Sequence, residues 1–151
     1  MDAYAQRLSR RPASASDEPF ARQTHHAAYH DVVVAQFGAW DKALQDAFFD
    51  RGWYPADHEI LLMDGQPCGY LKIRELSEVI HLDKLVIDPR FQNQGVGTAV
   101  LRQLKARAAA KGVPLRLQTH LQNRALGLYE REGFRRYGET ATHVLMEWDG
   151  T

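Results

Sequence analysis

Hydrophobic and polar residues along this chain follow patterns that predict an alternation of strands and helices. Apolar positions at helical spacing predict helices over residues 16–30, 41–49, 97–111 and 123–132. Short apolar runs bounded by turn residues predict strands at 4–8, 59–63, 69–76, 79–87, 114–119, 134–137 and 142–148. This order predicts a single mixed α/β domain over residues 1–151, with six to seven strands and about four helices.

Local turn and capping residues support these boundaries. Asp64-Gly65 between two strand patterns predicts a tight hairpin, and 37–40 has the composition of a loop. Ser16 or Asp17 can cap the first helix, and Asp41 can cap the second. Gly112 and Gly133 follow the third and fourth helical patterns, where a left-handed residue commonly ends a helix.

The segment 81–104 contains the most informative local pattern. An apolar strand ends at Asp88-Pro89, and a glycine-containing loop, Gln92-Asn93-Gln94-Gly95-Val96-Gly97-Thr98, leads into the third helix. A helix that begins after such a loop leaves its first backbone N–H groups free, and its positive dipole end faces the loop. The segment therefore predicts a binding site for a phosphate or pyrophosphate.

The spacing within this loop distinguishes three known anion-binding loops. A P-loop requires a lysine after the second glycine, and Gly97 is followed by Thr98. A dinucleotide-binding loop requires a third glycine where Val100 stands and a carboxylate roughly 20 residues later, and neither is present. The remaining pattern, Gln92-x-x-Gly95-x-Gly97, resembles the Q/R-x-x-G-x-G/A pyrophosphate loop of the GNAT superfamily of acyl-coenzyme A-dependent N-acetyltransferases.

A second motif strengthens the resemblance. The segment 123–134 is similar to the N-x-x-A-x-x-x-Y-x-x-x-G-F segment common in the same superfamily, with Asn123, Ala125, Tyr129 and Gly133-Phe134 at the matching positions. Together with the hairpin and the element order, the resemblance covers about residues 58–148. It implies a V-shaped central sheet whose strands 79–87 and 114–119 part to admit the pantetheine arm of coenzyme A.

The resemblance also implies which residues bind acetyl-coenzyme A. Backbone N–H groups of the strand 79–87 are expected to hold the pantetheine and the thioester oxygen, and those of the loop to hold the pyrophosphate. Asn123 is expected to bond to the pantetheine amides, to cap its helix, or to do both. The expected cofactor-binding residues are Leu85, Val86, Ile87, Gln92, Gln94, Gly95, Val96, Gly97, Thr98 and Asn123.

Acetyl transfer to an amine requires a proton acceptor and a proton donor for the leaving thiolate. Tyr129 is our candidate acid, because a tyrosine stays protonated at neutral pH and can still donate to a thiolate. Strand alternation puts His81, Asp83, Leu85 and Ile87 on one face, and His81 matches a position where the superfamily often has its base. Asp83 would assist His81 or bind the cationic amine; alternatively, both residues simply line a polar edge. Arylalkylamine-type members have a second histidine where this chain has Asp83, so that activity is not implied.

The N-terminal part of the chain supplies candidate residues for the acceptor site. Tyr29, Trp40 and Trp53 are the predicted substrate-binding residues, accompanied by Phe37 and Tyr54, while Phe48 and Phe49 are predicted to pack in the core. The same region carries Asp41, Asp46, Asp50, Asp57 and Glu59. Aromatic surface together with carboxylates would suit a small cationic amine.

Composition and charge exclude several other functions. Nineteen basic and nineteen acidic residues cancel, which gives no electrostatic basis for nucleic-acid binding, and no apolar run is long enough to cross a bilayer. We expect a cytoplasmic protein that lacks a secretory signal and binds no membrane. Cys68 lies in a strand pattern and is predicted to be a packed thiol. His25, His26 and His30 are predicted to form a solvated helix face, so no metal site is expected.

The resulting prediction is an N-acetyltransferase that moves an acetyl group from acetyl-coenzyme A to a primary amine of a small molecule, by direct attack in a ternary complex. Two alternatives remain open at this point. The acceptor could be a protein N-terminus or lysine, or the chain could be a non-catalytic acyl-coenzyme A-binding module. Exposed C-terminal strands also suggest a possible homodimer.

Overall fold

The computed structural model describes residues 7–121, 123 and 125–150. Within this part of the chain, seven strands form one sheet in the order β1-β2-β3-β4-β5-β7-β6, accompanied by four α-helices. The strands are β1 (Leu8–Pro12), β2 (Glu59–Met63), β3 (Gln66–Glu75), β4 (Ile80–Ile87), β5 (Leu115–His120), β6 (Arg135–Glu139) and β7 (His143–Trp148). The helices are α1 (Glu18–Phe37), α2 (Lys42–Gly52), α3 (Val96–Lys111) and α4 (Ala125–Arg131). The predicted mixed α/β fold is confirmed.

The first strand lies later in the chain than its sequence pattern predicted. Residues 4–6 of the predicted strand 4–8 lie outside the described residues, and β1 begins at Leu8. Leu8 is buried and pairs with Met63, and the antiparallel register continues to Pro12 opposite Glu59. β1 is an edge strand, so Pro12 can occupy its end without breaking a ladder hydrogen bond on a second side.

The first helix is longer than predicted. It continues from Glu18 past His30 to Phe37, where the left-handed residue Gly38 ends it with its N–H donating to the Val34 carbonyl at 2.8 Å. The three valines 32–34 have lower intrinsic helix propensity than straight-chain residues, but Val33 is buried, so tertiary packing outweighs that preference. The Asp41 cap was predicted correctly, because its side chain accepts from the Leu44 N–H at 3.1 Å.

Two hydrophobic clusters lie on opposite faces of the sheet. The larger one contains Leu101 and Leu104 of α3 packed on Leu82, Leu117 and further strand residues. The smaller one contains Ala21 of α1 and Phe49 of α2 packed on Tyr70 and Val86, together with Trp53. Phe48 was predicted to pack in the core, and that prediction is wrong: it is 48% exposed, whereas Phe49 is buried. The helical period turns these adjacent side chains about 100° apart.

The central sheet opens between β4 and β5. These two strands run parallel, and only Ile80, His81 and Leu82 pair with Leu115–Leu117. The remainder of β4 keeps its antiparallel pairing with β3 but has no pairing with β5, and β5 pairs with β7 along its other edge over its whole length. The predicted V-shaped sheet is therefore confirmed. The backbone edges of β4 and β5 that face this opening are free to bind an extended ligand.

Candidate active site

The glycine-containing loop leaves the N-terminus of α3 open to a ligand. Gly95 is the N-cap of α3 with φ 85°, and no side chain caps the helix. Its first turn carries no acidic residue, and the first intrahelical bond runs from the Ala99 N–H to the Gly95 carbonyl. Because the first N–H groups of a helix have no intrahelical acceptors, this end of α3 presents donors and a positive dipole end to an anion.

The residues before Gly95 hold the loop in shape through bonds to its own backbone. Gln92 donates its side-chain amide to the Ile87 carbonyl at 3.1 Å, and Gln94 donates to the Arg90 carbonyl at 2.9 Å. Asp88 accepts from the Arg90 N–H at 3.0 Å, and its own N–H donates to the Cys68 carbonyl. The two predicted cofactor-binding glutamines thus position the loop with their side chains, and the backbone N–H of Gln92 also donates within the loop, to the Pro89 carbonyl at 3.3 Å.

A cavity of about 460 Å³ lies where β4 and β5 part. Its walls come from β4 and β5, from α1 and α2, and from Asn123 and Tyr129 in the segment that contains α4. Its lining includes His25, Tyr29, Phe37, Phe48, Asp83, Lys84, Leu85, Val86, Thr119, His120, Asn123, Tyr129 and His143. Leu85 and Val86, which were predicted to bind the thioester arm, therefore border the same space as Tyr129.

A β-bulge in β4 changes which residues share a face. Lys72 of β3 pairs with Lys84, but its neighbour Ile73 pairs with Leu82, so Asp83 is an extra residue without a partner across the ladder. Beyond Asp83 the alternation is reversed: Val86 lies opposite Tyr70 in the smaller cluster, and Leu85 packs against the larger one. The prediction that His81, Asp83, Leu85 and Ile87 share one face is wrong for this reason. Leu85 and Ile87 pack against the larger cluster, as Ile80 and Leu82 do before the bulge, whereas His81 alternates with those two residues.

Of the two candidate base residues of β4, Asp83 lines the cavity and His81 does not. Asp83 lines the cavity but accepts two hydrogen bonds from Arg74, at 2.5 and 3.2 Å. His81 pairs with Arg74 on one side and Arg116 on the other, and it is not among the cavity-lining residues. Partial burial, with the nearby Arg74 and Arg116 charges, lowers the pKa of His81 below its usual value.

Tyr129 projects from α4 into the cavity wall. It is 6% exposed, packs edge-on against Phe134 with ring centroids 6.0 Å apart, and belongs to the larger hydrophobic cluster. Burial, with a smaller contribution from Tyr29, raises the pKa of Tyr129 well above its ordinary value. The phenol therefore stays protonated across the physiological range and is available there as a proton donor rather than as a base.

Two polar residues line the cavity together with Tyr129. The Asn123 side chain accepts from the Ala125 N–H at 2.9 Å, which forms an Asx turn immediately before α4, and Asn123 also lines the cavity. Thr119 on β5 is 5% exposed, and its hydroxyl oxygen is buried without a hydrogen-bond partner in the described part of the chain. A buried polar atom without a partner is costly, so Thr119 marks a position where a ligand group would complete the bonding.

Three histidines that were not predicted as site residues line the same cavity. His120 ends β5, with its ring centroid 4.2 Å from that of His143 and 5.7 Å from that of Tyr29. His25 of α1 packs on Tyr29 at 5.0 Å. Burial, followed by the charges of neighbouring groups, lowers the pKa of His25 and of His120 to about 4, and burial also lowers that of His143. All three are neutral at pH 7 and can accept protons.

The position of His25 also corrects a sequence prediction. His25, His26 and His30 were predicted to form a solvated helix face, but only His30 is exposed. His25 lies on the buried side with Ala21, Tyr29 and Val33, which recur at a spacing of four residues. That spacing was available in the sequence and identifies the inward face of α1.

A lysine connects the cavity to the end of α2. Lys84 Nζ donates to the Gly52 carbonyl at 2.7 Å and lies 3.2 Å from Nε2 of His58, whose Nδ1 lies 2.8 Å from the Tyr54 carbonyl oxygen. Burial, with the nearby Lys72 charge, lowers the pKa of Lys84. The lysine is therefore held by α2 and its following turn, and it positions these elements on β4.

The predicted acceptor-binding residues have different positions in the structure. Tyr29 lines the cavity, and burial raises the pKa of its phenol. Trp40 packs against His26 and His30, and Trp53 packs among Phe49, His58 and Tyr70; neither lines the cavity. The carboxylates that suggested a cationic acceptor also lie elsewhere, namely Asp41, Asp46, Asp50, Asp57 and Glu59. Most of them are engaged with their own neighbours: Asp41 in a helix cap, and Asp46, Asp50 and Glu59 in ion pairs.

Two further findings concern the rest of the described chain. Residues 7–121, 123 and 125–150 contain no group of three or more His, Cys, Asp or Glu side chains placed to hold a metal ion. In the same residues, no helix is sufficiently long and apolar to span a bilayer.

Comparison with known proteins decides the family. The profile of the acetyltransferase (GNAT) family matches residues 25–134, which include the cavity-lining part of α1, the loop and the Tyr129 helix. The chain belongs to the GNAT family of acetyltransferases. The resemblance recognised from Gln92-x-x-Gly95-x-Gly97 and from the segment 123–134 is thereby confirmed.

Solved structures of GNAT proteins share the fold over nearly the whole chain. The PaiA N-acetyltransferase from Thermoplasma acidophilum, in complex with coenzyme A, is 15% identical, with a TM-score of 0.76 over 94% of this chain and 98% of that one. An acetyltransferase from Thermus thermophilus is 22% identical, with a TM-score of 0.70 over 93% and 96%. The ribosomal-protein-S18-alanine N-acetyltransferase from Escherichia coli is 21% identical, with a TM-score of 0.62 over 93% and 92%.

The residues of this GNAT chain fit the acetyl-coenzyme A that the family uses as its co-substrate. The open N-terminus of α3 suits the pyrophosphate, and the free edge of β4 suits an extended amide-containing arm. The unpartnered Thr119 hydroxyl and the Asn123 side chain add polar groups along the route from the loop to the cavity.

Proposed function

We propose that this acetyltransferase acetylates the primary amine of a small molecule that carries an apolar group, by direct attack in a ternary complex. The observation that carries the proposal is the cavity between β4 and β5. It brings the free edge of β4, the Tyr129 phenol and three neutral histidines to one space of about 460 Å³. This volume is in the range of pockets that bind small molecules.

The charge of the cavity favours an acceptor that reacts as a neutral amine. Its two charged side chains are engaged with the protein, Asp83 with Arg74 and Lys84 with Gly52 and His58. The remaining polar groups are hydroxyls, amides and imidazoles. We therefore revise the expected acceptor: recognition rests on apolar contact rather than on a carboxylate that binds an ammonium group.

Aromatic side chains at the rim supply that apolar contact. Phe37 at the end of α1 and Phe48 on α2 line the cavity and are 59% and 48% exposed. Exposed aromatic rings next to a cavity are typical of sites that bind an apolar group. An amine with an alkyl or aryl substituent would place its nitrogen inward and its apolar group between these rings.

The protein supplies no nucleophilic thiol that could carry the acetyl group. Cys68, the one cysteine of the chain, is fully buried in β3 and does not line the cavity. Burial, with the nearby Asp88 charge, raises the pKa of its thiol to about 11, so the thiolate is scarce at pH 7. Direct attack of the amine on the bound thioester is the simpler route.

The proposed roles of the site residues follow from their positions. The thioester supplies the acetyl group. Backbone groups of Leu85, Val86 and Ile87 orient the pantetheine arm, and those of Gln94–Thr98 hold the pyrophosphate, with Gln92 shaping the loop. Tyr129, which its raised pKa keeps protonated, bonds to the leaving sulfur and donates its proton to it. Tyr29 contacts the acceptor, and Asn123 bonds to the pantetheine amides.

Thiol release tests this proposal. The wild-type protein is incubated with acetyl-coenzyme A and a panel of alkyl and aryl primary amines, tertiary amines of the same size, and peptides with free N-termini or lysines. We expect saturable release with apolar primary amines only, with the amide identified by mass spectrometry. Turnover of peptides alone would establish a protein acceptor, and binding without thiol release would establish a non-catalytic module.

A pair of variants tests the apolar rim. Phe48→Ala removes a ring that lines the cavity, whereas Leu76→Ala removes an exposed side chain after β3 that does not line it. Loss of an aromatic contact should raise KM for an apolar amine by about tenfold and leave coenzyme A affinity unchanged. An equal effect of both variants would contradict the role of Phe48.

A further inference from the structure

A chain of hydrogen bonds leads from the cavity to the surface of α1 and α2. Nδ1 of His25 lies 3.0 Å from Nδ1 of His26, and Nε2 of His26 lies 2.6 Å from a carboxylate oxygen of Asp46. His25 lines the cavity, whereas the side chains of His26 and Asp46 are 17% and 26% exposed. Two adjacent residues of one helix thus connect the acceptor space to a carboxylate in contact with solvent.

The carboxylate determines which ring nitrogens carry protons. Asp46 also accepts from Arg22 at 3.1 Å and from Lys42 at 2.8 Å, and the bonds from His26 and these cations keep its pKa far below the ordinary value. An ionised carboxylate can only accept, so Nε2 of His26 carries a hydrogen. A neutral His26 then has a lone pair on Nδ1, which must accept from Nδ1–H of His25.

This arrangement leaves Nε2 of His25 as the basic nitrogen. Its ring lines the cavity. In the described part of the chain, this nitrogen does not count among the polar atoms that are both buried and without a hydrogen-bond partner. Its ring is fixed by contacts with Tyr29 and Phe49, with centroids 5.0 and 5.7 Å away. A fixed ring with one free lone pair toward the acceptor space has the geometry of a general base.

We propose that His25 accepts the proton of the acceptor amine and that His26, beside Asp46, receives the resulting positive charge outside the cavity. The inference rests on the proposed function, since it needs an amine in the cavity. It differs from the sequence-based prediction of His81 as the base, because His81 lies between Arg74 and Arg116 and does not line the cavity.

Two protons leave the ammonium nitrogen in the full reaction. For the first, an N–H bond of the ammonium group breaks and an N–H bond forms at Nε2 of His25. At the same time the Nδ1–H bond of His25 breaks and an N–H bond forms at Nδ1 of His26, so the charge moves from the ammonium to His26 while Asp46 stays ionised. The second proton leaves the nitrogen as the C–S bond breaks, and it replaces the proton that Tyr129 gives to the thiolate. After the product leaves, the proton on Nδ1 of His26 returns to Nδ1 of His25 as water in the open cavity takes the proton from Nε2 of His25.

The surroundings explain why the charge would not stay on His25. Burial and nearby cations or bases oppose a positive charge on that ring and lower its pKa to about 4. The groups that face His25 from its own helix, from β4 and from β5 are His26, Arg22, Tyr29, Lys84 and His120. His26 has a carboxylate at 2.6 Å and is closer to water, although Arg22 and Lys42 share that carboxylate.

Imidazole nitrogen NMR tests the pair without any turnover. On the whole protein at pH 7, with coenzyme A and the amine absent, we expect a hydrogen on Nδ1 of His25 and on Nε2 of His26. In Asp46→Asn the amide no longer fixes this tautomer, and the His26 signals should show a mixture. A hydrogen on Nε2 of neutral His25 would overturn the proposal.

Kinetics then test the role in catalysis. We expect His25→Gln to lower kcat/KM for the amine by about a hundredfold and His26→Gln by about tenfold, in both cases through kcat rather than KM. His30→Gln is the matched control, because His30 is on the same helix but pairs with Asp31 at the surface. A wild-type rate in His25→Gln, or an equally large loss of kcat/KM in His81→Gln, would overturn the role of His25 and leave the proposed function standing. Absence of turnover by the wild type would overturn the proposed function itself.

Discussion

A methyl group on Gly69 of β3 would lie only 2.3 Å from the carbonyl oxygen of Val86 on β4. Real Cβ atoms essentially never approach an oxygen so closely, and the contact is with backbone, which cannot rotate away. Glycine at position 69 therefore allows β3 to approach β4 closely where it pairs with Ile87, beyond the Asp83 bulge that reverses the facing of β4. The free edge of β4 that borders the cavity is held in place from this side.

Gly69→Ala should destabilise the protein by at least about 2 kcal/mol, because β3 and β4 must separate to admit the methyl group. Chemical denaturation measures the free energy of unfolding. Gly138→Ala on β6 is the matched control, since its methyl group would meet the flexible Leu145 side chain at 3.3 Å. Equal stability losses in the two variants would argue against a special role for the Gly69 approach.

Gly95→Ala should weaken coenzyme A binding by several-fold to about tenfold. Gly95 has φ 85°, a conformation that costs an alanine about 1 kcal/mol or more, so the variant is expected to rearrange the start of α3. Isothermal titration calorimetry with coenzyme A gives the affinity. Gly65→Ala places the same change at φ 79° in the β2–β3 turn, where it should cost stability without affecting coenzyme A. Unchanged affinity in Gly95→Ala would be evidence against the loop as the pyrophosphate site.

Tyr129→Phe should lower kcat by about a hundredfold with little change in coenzyme A affinity, because the ring still fills its place beside Phe134 while the proton donor is lost. Steady-state kinetics and a binding titration separate the two effects. Tyr137→Phe on β6, a half-exposed tyrosine outside the cavity, is the control. A wild-type kcat in Tyr129→Phe would remove this residue as the acid.

Stability should fall as the pH decreases from about 6.5 to about 4. Unfolded histidines titrate near 6.5, whereas the pKa of folded His25 and of folded His120 is about 4. Between these values the unfolded chain binds more protons than the folded one, so acid favours unfolding. His120→Gln should reduce the slope of the unfolding free energy against pH. The reduction should be less than about 1.4 kcal/mol per pH unit, because the cavity is open to water. An unchanged slope would contradict the burial of His120, and His30→Gln serves as control.

The parts of the fold set by local signals were predictable from the sequence. The strand and helix periods, the Asp41 cap, the Asp64-Gly65 turn and the glycine loop depend on residues within one or two turns of chain. The loop and the segment around Tyr129 also identified the family, because their spacing reflects contacts with one ligand.

Features set by contacts between distant segments were not predictable in this way. The Asp83 bulge is defined only by the register between β3 and β4, so strict alternation assigned Leu85 and Ile87 to the wrong face. The burial of His25 depends on how α1 packs over the opening between β4 and β5. Trp53 is an error in the opposite direction. It was assigned to the acceptor site from the sequence, but it packs in the core on Tyr70.

A crystal structure of the protein with coenzyme A and an apolar primary amine tests the central claim most directly. We expect the pyrophosphate to lie on the backbone N–H groups of residues 94–98 and the thiol within hydrogen-bonding distance of the Tyr129 hydroxyl. The amine should lie in the cavity beside His25. A thiol that ends away from Tyr129, or an amine bound outside the opening between β4 and β5, would contradict this claim.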